Sequence, residues 1–369
     1  VSGGTAANAA AQDSFCSGTC VITKIYDQSG HGNFLEYQGS GSSIGGKDQP
    51  SSATAETFFL SGHKVYSLWI NPGNSYWRNG STTGMPLNST PEGMYMVTSG
   101  THFNDQCCFD YGNSETTRAY AGPGAMDAIN FSAITQWGTG AGKGPWIMAD
   151  LEGGIFAQNN TGKSQNDPSQ TSKYVTAVLK NNGTTEFTLK GSNAQSGSLT
   201  TYYKGGTPGN EKMVKQGAIV LGSGGDCCAT NNNLSDGTFY EGVIVSGYPT
   251  DAAENAVQAN IVAAGYGSAT PVEIVDKSDN AQHASSVKVH CVQLNGGAVV
   301  GYTLQRNQRV SVNILDQRGR KVASVVDGVF SAGPHEAVWH ANRVPAGVYV
   351  WRVVFDGIEE RAGKIVLGK

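Results

Sequence analysis

Charge is scarce in this sequence. Asp, Glu, Lys and Arg together make up 15% of the residues, against about a quarter in an ordinary soluble domain. The charges nearly cancel, leaving a net −4, so there is no electrostatic case for binding nucleic acid or an anionic membrane. No apolar run approaches the roughly 20 residues that a membrane-spanning helix needs. The seven cysteines include no C-x-x-C pair matched by a second such pair or by paired histidines. That pattern argues against zinc, and no metal or other cofactor is expected. An initiating Met and a secretory leader are also lacking, so the chain reads as mature, processed or trimmed.

Glycine, in contrast, is abundant, at 50 of 369 residues. Asn, Ser and Thr cluster between short apolar runs, the pattern of an all-β, loop-rich extracellular protein. The length suggests two domains, each with chain enough for its own core. The cysteines fit disulfides in an oxidising compartment. Cys16 and Cys20 bracket a short loop and are expected to bond. Cys107-Cys108 and Cys227-Cys228 are adjacent pairs, and Cys291 is left as the candidate free thiol.

Strands are expected over 21–25, 65–70, 93–97, 107–113, 125–131, 146–149 and 218–222, and again over 238–246. The runs 174–179, 186–190 and 199–203 read as a meander. The stretch 1–14 is small, polar and without period. One helix is expected after Thr250-Asp251, with Ala253, Val257 and Ile261 at helical spacing up to Gly265, packed outside a sheet. Residues 268–284 read as a linker. Beyond it, runs at 309–315, 321–326, 335–339 and 348–354 suggest a small β-sandwich of about 85 residues.

The stretch Trp146-Ile-Met-Ala-Asp-Leu-Glu152 is the most informative. It is closed by Gly144-Pro145 in front and Gly153-Gly154 behind. On an extended backbone Asp150 and Glu152 would share a face with Met148. Two acids on a partly apolar surface mark either a cleft built for a polar ligand or a solvent-facing strand edge. Further acids stand at Asp110, Glu115, Asp127, Asp226 and Glu241. Asp226 follows Gly224-Gly225, which suits either close approach of a ligand or a plain turn. Cys107-Cys108 allows a bond between neighbours, strained across a trans peptide whose Cα atoms lie about 3.8 Å apart, or two bonds to distant partners.

Several segments together resemble glycoside hydrolase family 54: Asp13-Ser-Phe-Cys16, Val21-Ile-Thr-Lys-Ile-Tyr-Asp-Gln-Ser-Gly30, Gly93-Met-Tyr-Met-Val97, Gly100-Thr-His-Phe-Asn104, Cys107-Cys-Phe-Asp-Tyr-Gly-Asn113, Pro145-Trp-Ile-Met-Ala-Asp-Leu-Glu152 and Gly237-Thr-Phe-Tyr-Glu-Gly-Val243. The resemblance covers residues about 10–267. It implies a concanavalin- or jelly-roll-like β-sandwich acting as a retaining, exo-acting α-L-arabinofuranosidase on arabinoxylan or arabinan. The alternative is a lectin-like sandwich that binds arabinosyl chains without cutting them. By resemblance the nucleophile falls on Glu152 and the acid/base on Asp226, with their carboxyl groups about 5–5.5 Å apart. The family's bond between neighbouring cysteines falls on Cys107-Cys108, as a wall under the arabinose ring. Sugar-contacting positions fall on Met126, Trp137, Asp150 and Gly225.

The chain departs from that pattern at Gly153 and Gly154, where fungal members carry two sugar-holding Asn. A second departure is Cys227-Cys228, which reads as a further bond between neighbours, followed by an insert at Thr230–Leu234. The family's N-terminal strands are absent ahead of Val1, and a retained N-terminal fragment of the same precursor is the expected partner. Residues 1–267 thus form the expected catalytic sandwich and 285–369 an immunoglobulin-like one. The latter resembles the sorting domain of bacterial type IX secretion cargo on Val312-Asn-Ile-Leu-Asp-Gln-Arg-Gly-Arg-Lys-Val322, Ala332-Gly-Pro-His335, Pro345-Ala-Gly-Val-Tyr-Val350 and Lys364-Ile-Val-Leu-Gly-Lys369. That resemblance implies a secreted or cell-surface protein.

Overall fold

A computed structural model describes residues 9–16, 19–37, 48–223, 234–268, 288–294, 297–316, 319–341, 344–356 and 359–367. They fall into two compact units, residues 9–268 and 288–367. Both are built almost wholly of β-strands.

The larger unit is a sandwich of two antiparallel sheets. One has eight strands in the order 155–156, 146–150, 127–132, 109–114, 218–223, 75–79, 35–37 and 24–25. The other has six, in the order 200–205, 187–193, 174–181, 92–99, 237–246 and 68–70. The expected meander is the run 174–181, 187–193, 200–205, each strand paired to the next.

Alternation sets which face is buried. Phe109, Tyr111, Ile129, Phe131, Ile147, Ala149 and Leu221 of the eight-stranded sheet meet Ile70, Met94, Met96, Val175, Leu179 and Leu189 of the six-stranded sheet in one core. Burying each large side chain contributes about 1.5–3 kcal/mol. The period of two then sends Cys108, Asp110, Asn130, Met148 and Asp150 to the opposite, outer face.

Helix α2, Asp251–Ala263, starts where expected: the Thr250 hydroxyl accepts from the Ala253 N–H at 3.2 Å. Buried Lys180 and Lys190, from the six-stranded sheet, both reach Asp251 and Glu254 on this helix. Other expectations need correction. Residues 9–16 form helix α1, where no period was read, because small residues on both faces leave no apolar stripe. The runs 21–25 and 65–70 are each split into two short strands.

Among the described residues, one edge of the six-stranded sheet is partly open. The Gly237–Ser246 strand pairs with Glu92–Ser99 from Phe239 to Ser246. On its other side only Gly237–Phe239 has a partner among the described residues, the Leu68–Ile70 strand. Val243 and Val245 along the unpaired part are 42% and 40% exposed. A cavity of about 330 Å³ opens beside it, lined by Tyr111, Ile219, Leu221, Phe239, Glu241 and Ile244 among others.

The smaller unit packs a three-stranded sheet (288–294, 297–304, 333–340) and a four-stranded sheet (321–330, 308–316, 347–355, 359–367) around its own core, with Val300, Tyr302, Val312, Trp339, Trp351 and Ile365 inside. Cys291 is a free thiol there, and burial pushes it up to about 11. No helix among the described residues is long and apolar enough to cross a membrane.

Candidate active site

The outer face of the eight-stranded sheet brings the acid-bearing segments together. Asp110 lies opposite Asn130, which lies opposite Met148. In the next row Gly112 lies opposite Ala128, which lies opposite Asp150. Gly112 lets the neighbouring strand come close, since a Cβ there would lie 2.4 Å from Ala128 Cα, and the carboxyl groups of Asp110 and Asp150 approach each other across these rows. Those two carboxyl groups and the Cys108 sulfur have ligand atoms all within 4.8 Å of one another. Asn130 Nδ2 donates to Asp110 Oδ1 at 2.8 Å, and its Oδ1 accepts from Ser132 Oγ at 2.8 Å.

Cys107 and Cys108 are bonded to each other, as the family resemblance implied. Their peptide is cis and their Cα atoms are 3.0 Å apart, so the trans spacing considered from sequence does not apply. Cys16 bonds Cys20. The Cys107–Cys108 pair packs into an apolar patch with Ile134, Trp146, Met148, Ile155 and half-buried Trp137. Met126 is fully buried and packs on Ala128 and Val220, beside Asp150's row.

Glu152 differs from the sequence expectation. The strand ends at Asp150, and Glu152 sits beyond it in the left-handed region with φ 54°, so extended alternation does not place the two side chains. Instead the Glu152 N–H donates to Asp150 Oδ1 at 3.1 Å. A hydrogen bond to a carboxylate of this kind contributes about 1.5–3 kcal/mol, which offsets the left-handed backbone of a non-glycine residue. Glu152 is 4% exposed and borders a cavity of about 180 Å³, together with Pro123, Gly153, Phe156, Thr207 and Glu211.

The next two residues show why glycine stands here. Gly153 has φ 103°, and a Cβ there would lie 3.1 Å from Pro123 Cγ. Gly154 has φ 152°, and a Cβ would lie 2.7 Å from Phe156 Cζ and 3.2 Å from Trp137 Cδ1. Side chains in this turn would press on the aromatic wall.

The remaining acids lie elsewhere. Asp127 projects to the core side of its strand, where fully buried Lys215 meets it at 3.4 Å and Glu92 at 3.0 Å. Burial lifts the Asp127 carboxyl above its usual range. Glu241 is on the open-edged strand across the sandwich, likewise raised by burial. Glu115 is buried just past the 109–114 strand. Asp226, Gly225, Cys227, Cys228 and the insert at 230–234, apart from Leu234, fall outside the described residues. The flanks of that segment are described. Ser223 is the register partner of Phe109, and Asn104 Nδ2 donates to Leu234 O at 2.8 Å and to Asp236 Oδ2 at 2.9 Å.

Sequence reasoning flagged Asp110 without a role and passed over Asn130 and Ser132. The available signal was polar residues recurring at every second position of otherwise apolar strands, which puts them together on one face.

Residues 1–267 match the family described as alpha-L-arabinofuranosidase B, catalytic. A probable alpha-L-arabinofuranosidase B of Aspergillus fumigatus is 51% identical over 278 residues, covering 73% of this chain and 54% of that protein. An alpha-L-arabinofuranosidase of Hypocrea jecorina is 51% identical over 268 residues, covering 70% and 52%. The chain thus spans about half the length of these relatives. Among solved structures, a crystal structure of an arabinofuranosidase complexed with arabinofuranosyl-alpha-1,2-xylobiose superposes with a TM-score of 0.66 at 38% identity, covering 92% of this chain and 74% of that one. A glycoside hydrolase family 54 α-L-arabinofuranosidase mutant soaked with 4-nitrophenyl α-L-arabinofuranoside gives 0.66 at 41% identity, covering 82% and 62%. With 267 of its 369 residues matched and half of the aligned positions identical, this chain belongs to the alpha-L-arabinofuranosidase B catalytic family.

Proposed function

We propose that this protein is a retaining, exo-acting α-L-arabinofuranosidase that removes arabinose side chains from arabinoxylan or arabinan. The observation that carries the reading is the placement of Glu152. It is buried, held by its own N–H on Asp150, and adjoins the outer face where the Cys107–Cys108 wall and Trp137 pack together. In this reading Glu152 attacks the anomeric carbon while Asp226 donates a proton to the departing glycosidic oxygen. Asp226 then takes a proton from water, whose oxygen displaces Glu152 and restores the carboxylate. Cys107, Cys108, Met126, Trp137 and Asp150 would form the sugar pocket together with Gly153, Gly154 and Gly225. Without side chains at Gly153 and Gly154, fewer groups hold the sugar hydroxyls, the feature that favours the lectin-like reading.

One assay separates the two. An arabinofuranosidase releases nitrophenol from 4-nitrophenyl α-L-arabinofuranoside, gives the α-anomer of arabinose as first product by proton NMR, and loses this in Glu152→Gln. Binding to arabinoxylan without release of arabinose would favour the lectin-like reading.

Two further proposals concern the rest of the chain. The edge at residues 241–246 that has no partner strand among the described residues, with exposed Val243 and Val245, suits an added strand. We assign it to an N-terminal fragment of the same precursor, which would co-purify natively and separate on denaturation. The seven-stranded smaller unit is assigned to export and surface attachment through a type IX-like route, making the protein secreted or surface-bound. Deleting residues 285–369 would then keep the protein inside the producing cell.

A further inference from the structure

We propose that Asn104 is a positioning residue that joins the run forming the Cys107–Cys108 wall to the segment carrying Asp226, and so sets the acid/base against the sugar. The kinetic consequence rests on the arabinofuranosidase reading; the join itself does not.

Asn104 lies in the connection between the strands 92–99 and 109–114, three residues before Cys107. Both ends of its amide are used. Oδ1 accepts from the Gln106 N–H at 3.0 Å, a turn that directs the chain into Cys107. Nδ2 donates to Leu234 O at 2.8 Å and to Asp236 Oδ2 at 2.9 Å. The amide cannot be turned over, because Nδ2 would then face the Gln106 N–H and Oδ1 the Leu234 carbonyl. The Asn104 backbone O accepts from the Ala133 N–H at 2.9 Å, next to Ile134, which packs in the same patch as the Cys107–Cys108 pair.

Neighbouring residues repeat the join. A hydrogen bond of 2.9 Å links His102 Nδ1 and Thr238 Oγ1, and a Cβ at Gly237 would lie 2.4 Å from the Phe109 ring. Residues 234–238 are thus laid along 102–109. The other described flank of Asp226 meets the same run, with Ser223 as the register partner of Phe109. The two flanks are held differently. Ser223 belongs to the ladder of the eight-stranded sheet, whereas Leu234 and Asp236 precede the strand 237–246 and are held by the Asn104 amide. Without that amide the Leu234 carbonyl and the Asp236 carboxylate lose its donations, and the point where the chain re-enters the fold after Asp226 shifts relative to the wall.

The test compares the wild type with Asn104→Asp, Asp236→Asn and the double variant. Asn104→Asp keeps an acceptor for the Gln106 N–H but loses both donations and sets two carboxylates against each other. Asp236→Asn keeps an oxygen for the Asn104 amide and should stay near the wild type. In the double variant the introduced amide at position 236 donates to the introduced carboxylate at 104, remaking the join with its roles exchanged. Amide hydrogen exchange over 234–238, which requires no turnover, should speed up about 10- to 100-fold in Asn104→Asp and return toward the wild type in the double variant. Unchanged exchange in Asn104→Asp, or no recovery in the double variant, would overturn the join. Kinetics read its role in the reaction. A nitrophenolate leaves with little help from an acid, whereas methoxide leaves only as it is protonated. In Asn104→Asp, kcat/KM should fall about a hundredfold on methyl α-L-arabinofuranoside, as for a slightly misplaced reacting group. On 4-nitrophenyl α-L-arabinofuranoside the fall should be far smaller, and the double variant should close the difference. Equal loss on both substrates would refute the positioning role. If the wild type hydrolyses neither substrate, the arabinofuranosidase reading fails, and the exchange comparison still decides the join. Should Asn104→Asp fail to fold, Asn104→Ala, which adds no charge, supplies the same comparisons.

Discussion

Removing the Lys215 ammonium should unbalance the buried cluster behind the site in a pH-dependent way. Lys215, Glu92 and Asp127 are all fully buried, with ion-pair distances of 3.0 Å to Glu92 and 3.4 Å to Asp127. Lys215 also donates to Thr90 O at 2.8 Å. In Lys215→Met the two acids keep Asn113 and Asn181 as hydrogen-bond partners but lose their cation. Breaking a buried pair in this way costs about 3–5 kcal/mol. For a unit of this size each kcal/mol lowers Tm by about 2–4 °C, so the expected drop is about 6–20 °C. Burial pushes Glu92 from 4.5 up to about 8 in the folded state. The folded protein therefore holds more protons than the unfolded chain between those values, and wild-type stability falls as pH rises through that window. Without the lysine both acids resist ionisation still more, so the deficit of Lys215→Met should widen from acid to alkaline pH. Thermal melts of both proteins across that range read this directly. A drop below about 3 °C near neutral pH, or a deficit that does not change with pH, would refute the reasoning.

Thr250→Ala removes the acceptor for the Ala253 N–H and should cost about 1 kcal/mol, seen as a shifted denaturant midpoint with unchanged slope and unchanged turnover. Gly154→Asn restores the residue of the fungal pattern yet should destabilise by about 1–3 kcal/mol, because the new Cβ falls on Phe156 and Trp137. Its KM for the nitrophenyl arabinofuranoside should rise, whereas Gly153→Asn, which meets only the edge of Pro123, should be milder in both melts and kinetics.

Much of the sandwich was legible in its central strands. In 109–114 and 127–132 large apolar residues alternate with small or polar ones, whereas 146–149 is a short apolar run marked off by Gly144-Pro145 in front and Gly153-Gly154 behind. The meander and helix α2 were legible for the same reason, period plus punctuation. Short strands such as 35–37, 75–79 and 155–156 were missed because they are too brief to show a period. Helix α1 was missed because Ala9–Cys16 has no apolar stripe to read. At the site the acids were visible, but their grouping was not. Asp110 and Asp150 meet through the register of three strands, a long-range property that no local pattern contains. The Glu152 turn misled for a related reason: extended alternation continues only while the strand does, and here it stops at Asp150.

The most direct measurement of the central claim is peptide mapping of the protein after reaction with a cyclic sulfate configured as an arabinofuranose. The account predicts a single covalent adduct on the carboxyl of Glu152, absent from Glu152→Gln. An adduct on Asp150 or Asp110, or undiminished labelling of the Gln variant, would contradict it.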